Sequence, residues 1–135
     1  MNYGVSAKFP LSLGFAKVEE VVRTELLEAG FGVLTEIDVK ETMKKKLNVD
    51  YKPYKILGAC NPKFANEILQ NDLEIGLLLP CNVIIYEKGE DIIVSMIQPL
   101  AMFSVIEDVE IKPTAEKVGT LLNGALENIN NKLNA

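Results

Sequence analysis

The chain has no histidine, no tryptophan and only two cysteines. Without histidine, a Ser-His-Asp triad, a Cys-His dyad and any His-ligated metal site are excluded within this chain. Two cysteines in 135 residues do not make a disulfide framework, so a reducing, cytoplasmic compartment is expected. Long apolar runs are also lacking. The longest, Ile75 to Tyr86, is broken by Pro80 and Asn82 and is too short to span a bilayer. Met1 to Pro10 shows no basic segment followed by an apolar one, so no secretory signal is expected. Positive charge is in deficit, with 14 Lys plus Arg against 19 Asp plus Glu and a net charge of −5. That opposes nucleic-acid binding by bulk charge. Neither nucleic acid nor a membrane is an expected partner.

Apolar residues make up 48% and charged residues 24%, the balance of an ordinary globule. The length suits one domain, residues 1–135, with a core that needs no staples. Residues 2–9 alternate as a strand. Phe15, Val18, Val22, Leu26 and Ala29 recur at helical spacing, and Gly30 ends that helix. Phe31 to Ile37 reads as a strand. Asp38 then caps a helix carrying Glu41 in its first turn and a Val39, Met43, Leu47 stripe. Tyr54 to Ala59 is a strand, and Asn61-Pro62 opens another helix. Ile75 to Leu79 and Val83 to Tyr86 read as one bent strand or two short ones, and Asp91 to Gln98 returns from a hairpin turn. Leu100 to Ile106 is ambiguous. Thr114 is expected to cap a long amphipathic helix running to Leu133. Consecutive strands with a hairpin argue for an α+β fold, with a mostly antiparallel sheet and two long helices on one face. A homodimer would cover the other face if the central strands are apolar on both sides.

Chemistry is best sought at two similar tripeptides. Cys60-Asn61-Pro62 and Cys81-Asn82-Val83 each place Cys before Asn. The positive end of the helix that follows Cys60 would lower its thiol pKa. Two thiols brought together would form a redox pair, or hold a soft metal or haem iron. A Cys₂-only zinc site would need carboxylates or a second subunit, so zinc is not expected. The bland reading is that each cysteine is a small buried hydrophobe and that Asn61 is a cap. Glu36 and Asp38, two apart in a strand, face one side, and paired carboxylates can do acid–base work, although Asp38 already serves as a cap. Lys40, Lys44, Lys45, Lys46, Lys52 and Lys55 stand against Glu41 and Asp50 alone, so residues 40–55 carry +4 and the remainder −9. This is a solvated face or an anion site. Gly30-Phe31-Gly32 follows a helix and lacks a third Gly, so it is not a dinucleotide fingerprint, and no Walker motif occurs.

Three ordered segments carry a resemblance. Gly30-Phe31-Gly32-Val33-Leu34-Thr35-Glu36-Ile37-Asp38-Val39, Tyr54-Lys55-Ile56-Leu57-Gly58-Ala59-Cys60-Asn61-Pro62 and Gly76-Leu77-Leu78-Leu79-Pro80-Cys81-Asn82-Val83 resemble the domain-of-unknown-function family numbered 302. The resemblance implies a fold like that of the TATA-binding protein, with helices backing an antiparallel sheet, and usually a dimer. It implies no activity. The leading expectation is a dimeric small-ligand or cofactor binding module, its site formed by Cys60, Asn61, Cys81 and Asn82 with Glu36 and Asp38 as neighbours. A thiol redox enzyme with Cys60 as nucleophile and Cys81 as resolving partner is one alternative. A structural or protein-interaction domain is the other.

Overall fold

The computed structural model describes residues 3–105 and 110–134. Asn2 and Ile106, part of two of the expected segments, lie outside the described residues. In chain order come β1 (Gly4–Pro10), α1 (Phe15–Glu28), β2 (Gly32–Asp38), α2 (Val39–Leu47), β3 (Tyr54–Cys60), α3 (Pro62–Asn71), β4 (Cys81–Lys88), β5 (Asp91–Ile97), α4 (Pro99–Met102) and α5 (Lys112–Leu133). Short 3-10 turns lie at Leu11–Leu13, Leu73–Leu78 and Phe103–Val105.

The sheet is antiparallel throughout, in the order β1-β5-β4-β3-β2. Alternation divides it into two faces. On β5, Ile92, Val94 and Met96 are buried while the residues between them are half-buried. The register lines them up with Phe9, Ala7 and Val5 on β1, and lines Val94 and Met96 up with Ile85 and Val83 on β4. Val18, Val22 and Leu26 of α1 and Val118, Leu122, Ala125 and Ile129 of α5 complete this core. Each fully buried Leu, Ile or Phe there contributes about 1.5–3 kcal/mol by leaving water. The two long helices thus cover one face, as the amphipathic patterns predict.

The local start and stop signals act as expected at three points. Asp38 accepts the Glu41 N–H at 3.0 Å and opens α2. Asn61 accepts the Phe64 N–H at 3.3 Å and opens α3, with Pro62 in its first turn. Gly30 ends α1 with φ of +93°, which a side chain would resist, and the chain turns back with Phe31 N–H on Leu26 C=O at 2.8 Å.

Two expectations need correction. The apolar segment before Pro80 is not a strand. Leu73–Leu78 is a 3-10 helix whose first turn is capped by Asp72 on the Glu74 N–H at 3.0 Å, and β4 begins only at Cys81. A short apolar run has no period that separates strand from helix, so a local cap decides. Thr114 does not cap α5, which begins at Lys112; its hydroxyl instead bonds Glu67 of α3 at 3.4 Å. The two glycines of α5 differ. A Cβ on Gly119 would meet Pro99 Cδ at 3.6 Å, which fits close packing, whereas Gly124 faces open space and packing does not explain it. The ambiguous segment resolves into α4, started by Pro99, and the turn Phe103–Val105.

Candidate functional site

The end of β3, the start of α3 and the start of β4 meet at one cleft. Ala59 pairs with Cys81 across the β3–β4 ladder, which fixes Cys60 and Cys81 as near neighbours at the same end of the sheet. Cys60 is half-buried and Cys81 is buried, both as free thiols. Three aromatic rings join them. Phe31 arrives from the turn after α1, Phe64 from the first turn of α3 and Phe103 from the turn after α4. Leu79 and Pro80 close one side, and Ala115 and Val118 of α5 close another. The cleft is narrow, with about 30 Å³ of room for a water-sized sphere. Its wall is almost wholly carbon and sulfur, and Asn61 and Thr114 supply the polar groups. A mostly apolar concavity with a few placed polar groups is the usual form of a small-molecule site.

Asn61 is fixed from two sides. Its carbonyl accepts the Ala65 N–H at 2.9 Å while its side chain caps Phe64. Gly30 lies so close that a Cβ there would stand 3.1 Å from Asn61 Nδ2. A side chain at residue 30 would therefore press on the cap as well as strain the backbone.

The thiol chemistry runs opposite to the sequence expectation. Burial pushes the Cys60 thiol up. Burial, with a smaller push from Cys60, raises Cys81 to about 11. The start of α3 does not offset the loss of water around sulfur. Both groups are neutral thiols near neutral pH, poor nucleophiles and poor metal ligands until a proton leaves. Among the described residues no cluster of three or more Cys, Asp or Glu side chains is placed to hold a metal ion.

This arrangement belongs to a recognisable lineage. The family model described as "Domain of unknown function DUF302" matches residues 7–129. The chain is a member of the DUF302 family. A crystal structure of an uncharacterized conserved DUF302 protein from Bacillus stearothermophilus superposes on it with a TM-score of 0.85. The two share 26% identity over 94% of this chain and 98% of that one. No curated protein shows significant similarity to the chain. Among the described residues of this DUF302 chain, no helix is long and apolar enough to cross a membrane.

The remaining sequence candidates do not converge on the cleft. Asn82 is exposed and, by register, lies on the opposite sheet face with Gly58. Glu36 and Asp38 do share a face of β2, but each has another task. Glu36 is bound by Arg23 and lies 3.6 Å from Lys55; Arg23 and Lys55 also hold Glu19 at 2.9 and 3.0 Å. The hydrogen bond from Lys55 to Glu19 raises the lysine pKa, against a smaller opposing effect of burial. This four-membered charge cluster ties α1 to β2 and β3 and leaves Glu36 no role as a free acid or base. Of the lysine-rich segment, Lys44 pairs with Asp50 at 3.0 Å and Lys55 belongs to that cluster.

Phe64 and Ile68 of α3 also line the cleft. Phe31, Leu79, Phe103 and Val118 were missed as site residues. Each comes from a different segment, so no spacing along the chain could have gathered them.

Proposed function

We propose that this DUF302 protein binds a small apolar ligand in the cleft between Cys60 and Cys81. The observation that carries the reading is the convergence of Phe31, Phe64 and Phe103 with both thiols on one almost wholly apolar wall. Neutral thiols are soft, polarisable contacts for an aromatic ring. Asn61 and Thr114 offer the polar groups that would orient a ligand bearing one hydroxyl or amine. The thiol-enzyme alternative ranks below this one, because catalysis by thiolate needs a lowered pKa and both thiols are raised.

The test uses indole and toluene as probes. Each is added in excess to the full chain while thermal unfolding is followed. Binding to the folded state alone raises the melting temperature by mass action. Ala65→Leu, which projects extra side chain from the wall, is the blocked variant. Stabilisation of the natural chain and none of A65L supports the reading. Failure of both probes to stabilise the natural chain defeats it.

A further inference from the structure

We infer that the cleft selects a neutral ligand carrying a hydroxyl, an alcohol or a phenol, with Asn61 Nδ2 donating to that hydroxyl and Thr114 Oγ1 accepting from it. Glu67 of α3 is the positioning residue that holds Thr114 in its accepting state. The inference rests on the reading of the cleft as a small-ligand site and names the group that its ligand carries. Asn61 and Thr114 are the two residues of the wall with strongly polar side chains. They come from different elements, the cap of α3 and the first turn of α5. Each is committed on one side by a hydrogen bond within the fold, and that commitment decides what its other side can offer.

Asn61 is oriented by its cap. A backbone N–H needs an acceptor, so the bond from Phe64 N–H at 3.3 Å requires the amide oxygen of Asn61 on the helix side. That leaves Nδ2, with two hydrogens and no hydrogen-bond partner among the described residues. Gly30 carries no Cβ to stand 3.1 Å from this nitrogen, so the space beside it stays open.

Thr114 is committed through its hydrogen. Thr24 and Thr120 each donate to the carbonyl four residues earlier, Glu20 and Glu116, at 3.0 Å, as threonines within a helix can. Thr114 donates instead to Glu67 Oε2 at 3.4 Å. A hydroxyl has one hydrogen and two lone pairs, and an ionised carboxylate only accepts. With its hydrogen given to Glu67, Thr114 has only lone pairs left for the cleft. The cleft thus presents one donor and one acceptor on a wall otherwise of carbon and sulfur. An ether or ketone only accepts and gains nothing from Thr114. An ammonium only donates and gains nothing from Asn61 Nδ2. A neutral hydroxyl matches both.

The test compares phenol with toluene, which carry a hydroxyl and a methyl group of similar size on the same ring, by isothermal titration calorimetry on the full chain. A wall of carbon alone favours toluene, because phenol gives up hydrogen bonds to water on entry. The expected result is tighter binding of phenol by the natural chain and the reverse order in Thr114→Val, the ratio shifting about fivefold for one hydrogen bond. Anisole accepts but does not donate, and should bind less tightly than phenol. Glu67→Leu, at an exposed position, frees the Thr114 hydrogen and should close that gap, whereas Glu67→Gln keeps an oxygen acceptor and should preserve it. Toluene bound as tightly as phenol by the natural chain overturns the inference and leaves the cleft standing as an apolar site, as does a phenol preference that survives T114V. A gap between phenol and anisole that E67L leaves unchanged overturns the role given to Glu67. Binding of neither phenol nor toluene defeats this inference and the reading it rests on together.

Discussion

Glu25 on α1 is 2% exposed, and the ammonium that pairs with it belongs to Lys132, 107 residues later near the end of α5. The two long helices are thus joined by a buried carboxylate whose partner reaches in from solvent. Glu25 also raises the Lys132 pKa by accepting its hydrogen bond. A buried carboxylate left unpaired is far worse for the fold than the pair is good for it. Lys132→Met is therefore expected to lower the melting temperature by several degrees, and adding Glu25→Gln to recover most of the loss. Circular dichroism melts of the three chains check this. Equal melting temperatures for K132M and the natural chain would show that the pair contributes nothing.

The raised thiol of Cys81 makes a statement about alkaline stability. A group whose pKa rises on folding contributes fully below its unfolded value and loses that contribution as pH climbs through the folded value. For Cys81 the window runs from 9.0 to about 11. Stability should fall across it by at most about 2–3 kcal/mol on account of this thiol. Tyrosines and lysines titrate nearby in pH, so the comparison with Cys81→Ala isolates the effect. Urea unfolding of both chains at the two ends of the window should show a smaller loss for C81A. Parallel losses would mean that the thiol is better solvated than its burial implies.

Gly58 sits where the β2–β3–β4 part of the sheet is most crowded. A Cβ on it would overlap Thr35 Oγ1 and stand 2.7 Å from Pro80 Cγ. Gly58→Ala is expected to cost about 1–3 kcal/mol by overpacking. Thr35→Ala in the same chain should restore part of that loss, because it removes the nearer obstacle. Denaturant midpoints of G58A and of the double variant measure both. A double variant no more stable than G58A would place the conflict at Pro80 alone.

The fold was readable from the sequence where local chemistry and long-range packing agree. The stripe of Val18, Val22 and Leu26, the Asp38 cap and the Asn61-Pro62 start all act in the structure as their spacing predicts. The reading failed at Leu73–Leu78, because an apolar run without a period is silent about its conformation. It failed at Thr114 because a hydroxyl ahead of an amphipathic run looks like a cap, whereas that hydroxyl bonds Glu67 on α3. The candidate site was half legible. Cys60, Asn61 and Cys81 were named by a repeated dipeptide, and strand pairing brought them together. Asn82 belongs to the same dipeptide but points the other way, since neighbours in a strand alternate. The sign of the thiol shift was illegible, because it depends on rings contributed from distant segments.

Asn61 offers the sharpest test of how the cleft and the helix start depend on each other. Asn61→Ala removes the cap on Phe64 and should cost about 1 kcal/mol of stability. It also frees the turn that holds Cys60, so Cys60 should react faster with a thiol reagent under native conditions. Asn61→Asp keeps an oxygen acceptor for the cap and suits the helix N-terminus. Its carboxylate next to Cys60 disfavours a second negative charge and should push that thiol further up, slowing the reaction at mildly alkaline pH. The two variants thus move one rate in opposite directions while only one of them loses stability. If both accelerate labelling, access governs the rate. If both leave it unchanged, the reacting thiol is shielded by the phenylalanine rings rather than by the turn. Indole should slow labelling of the natural chain and of N61D alike, since the rings that would hold it are intact in both.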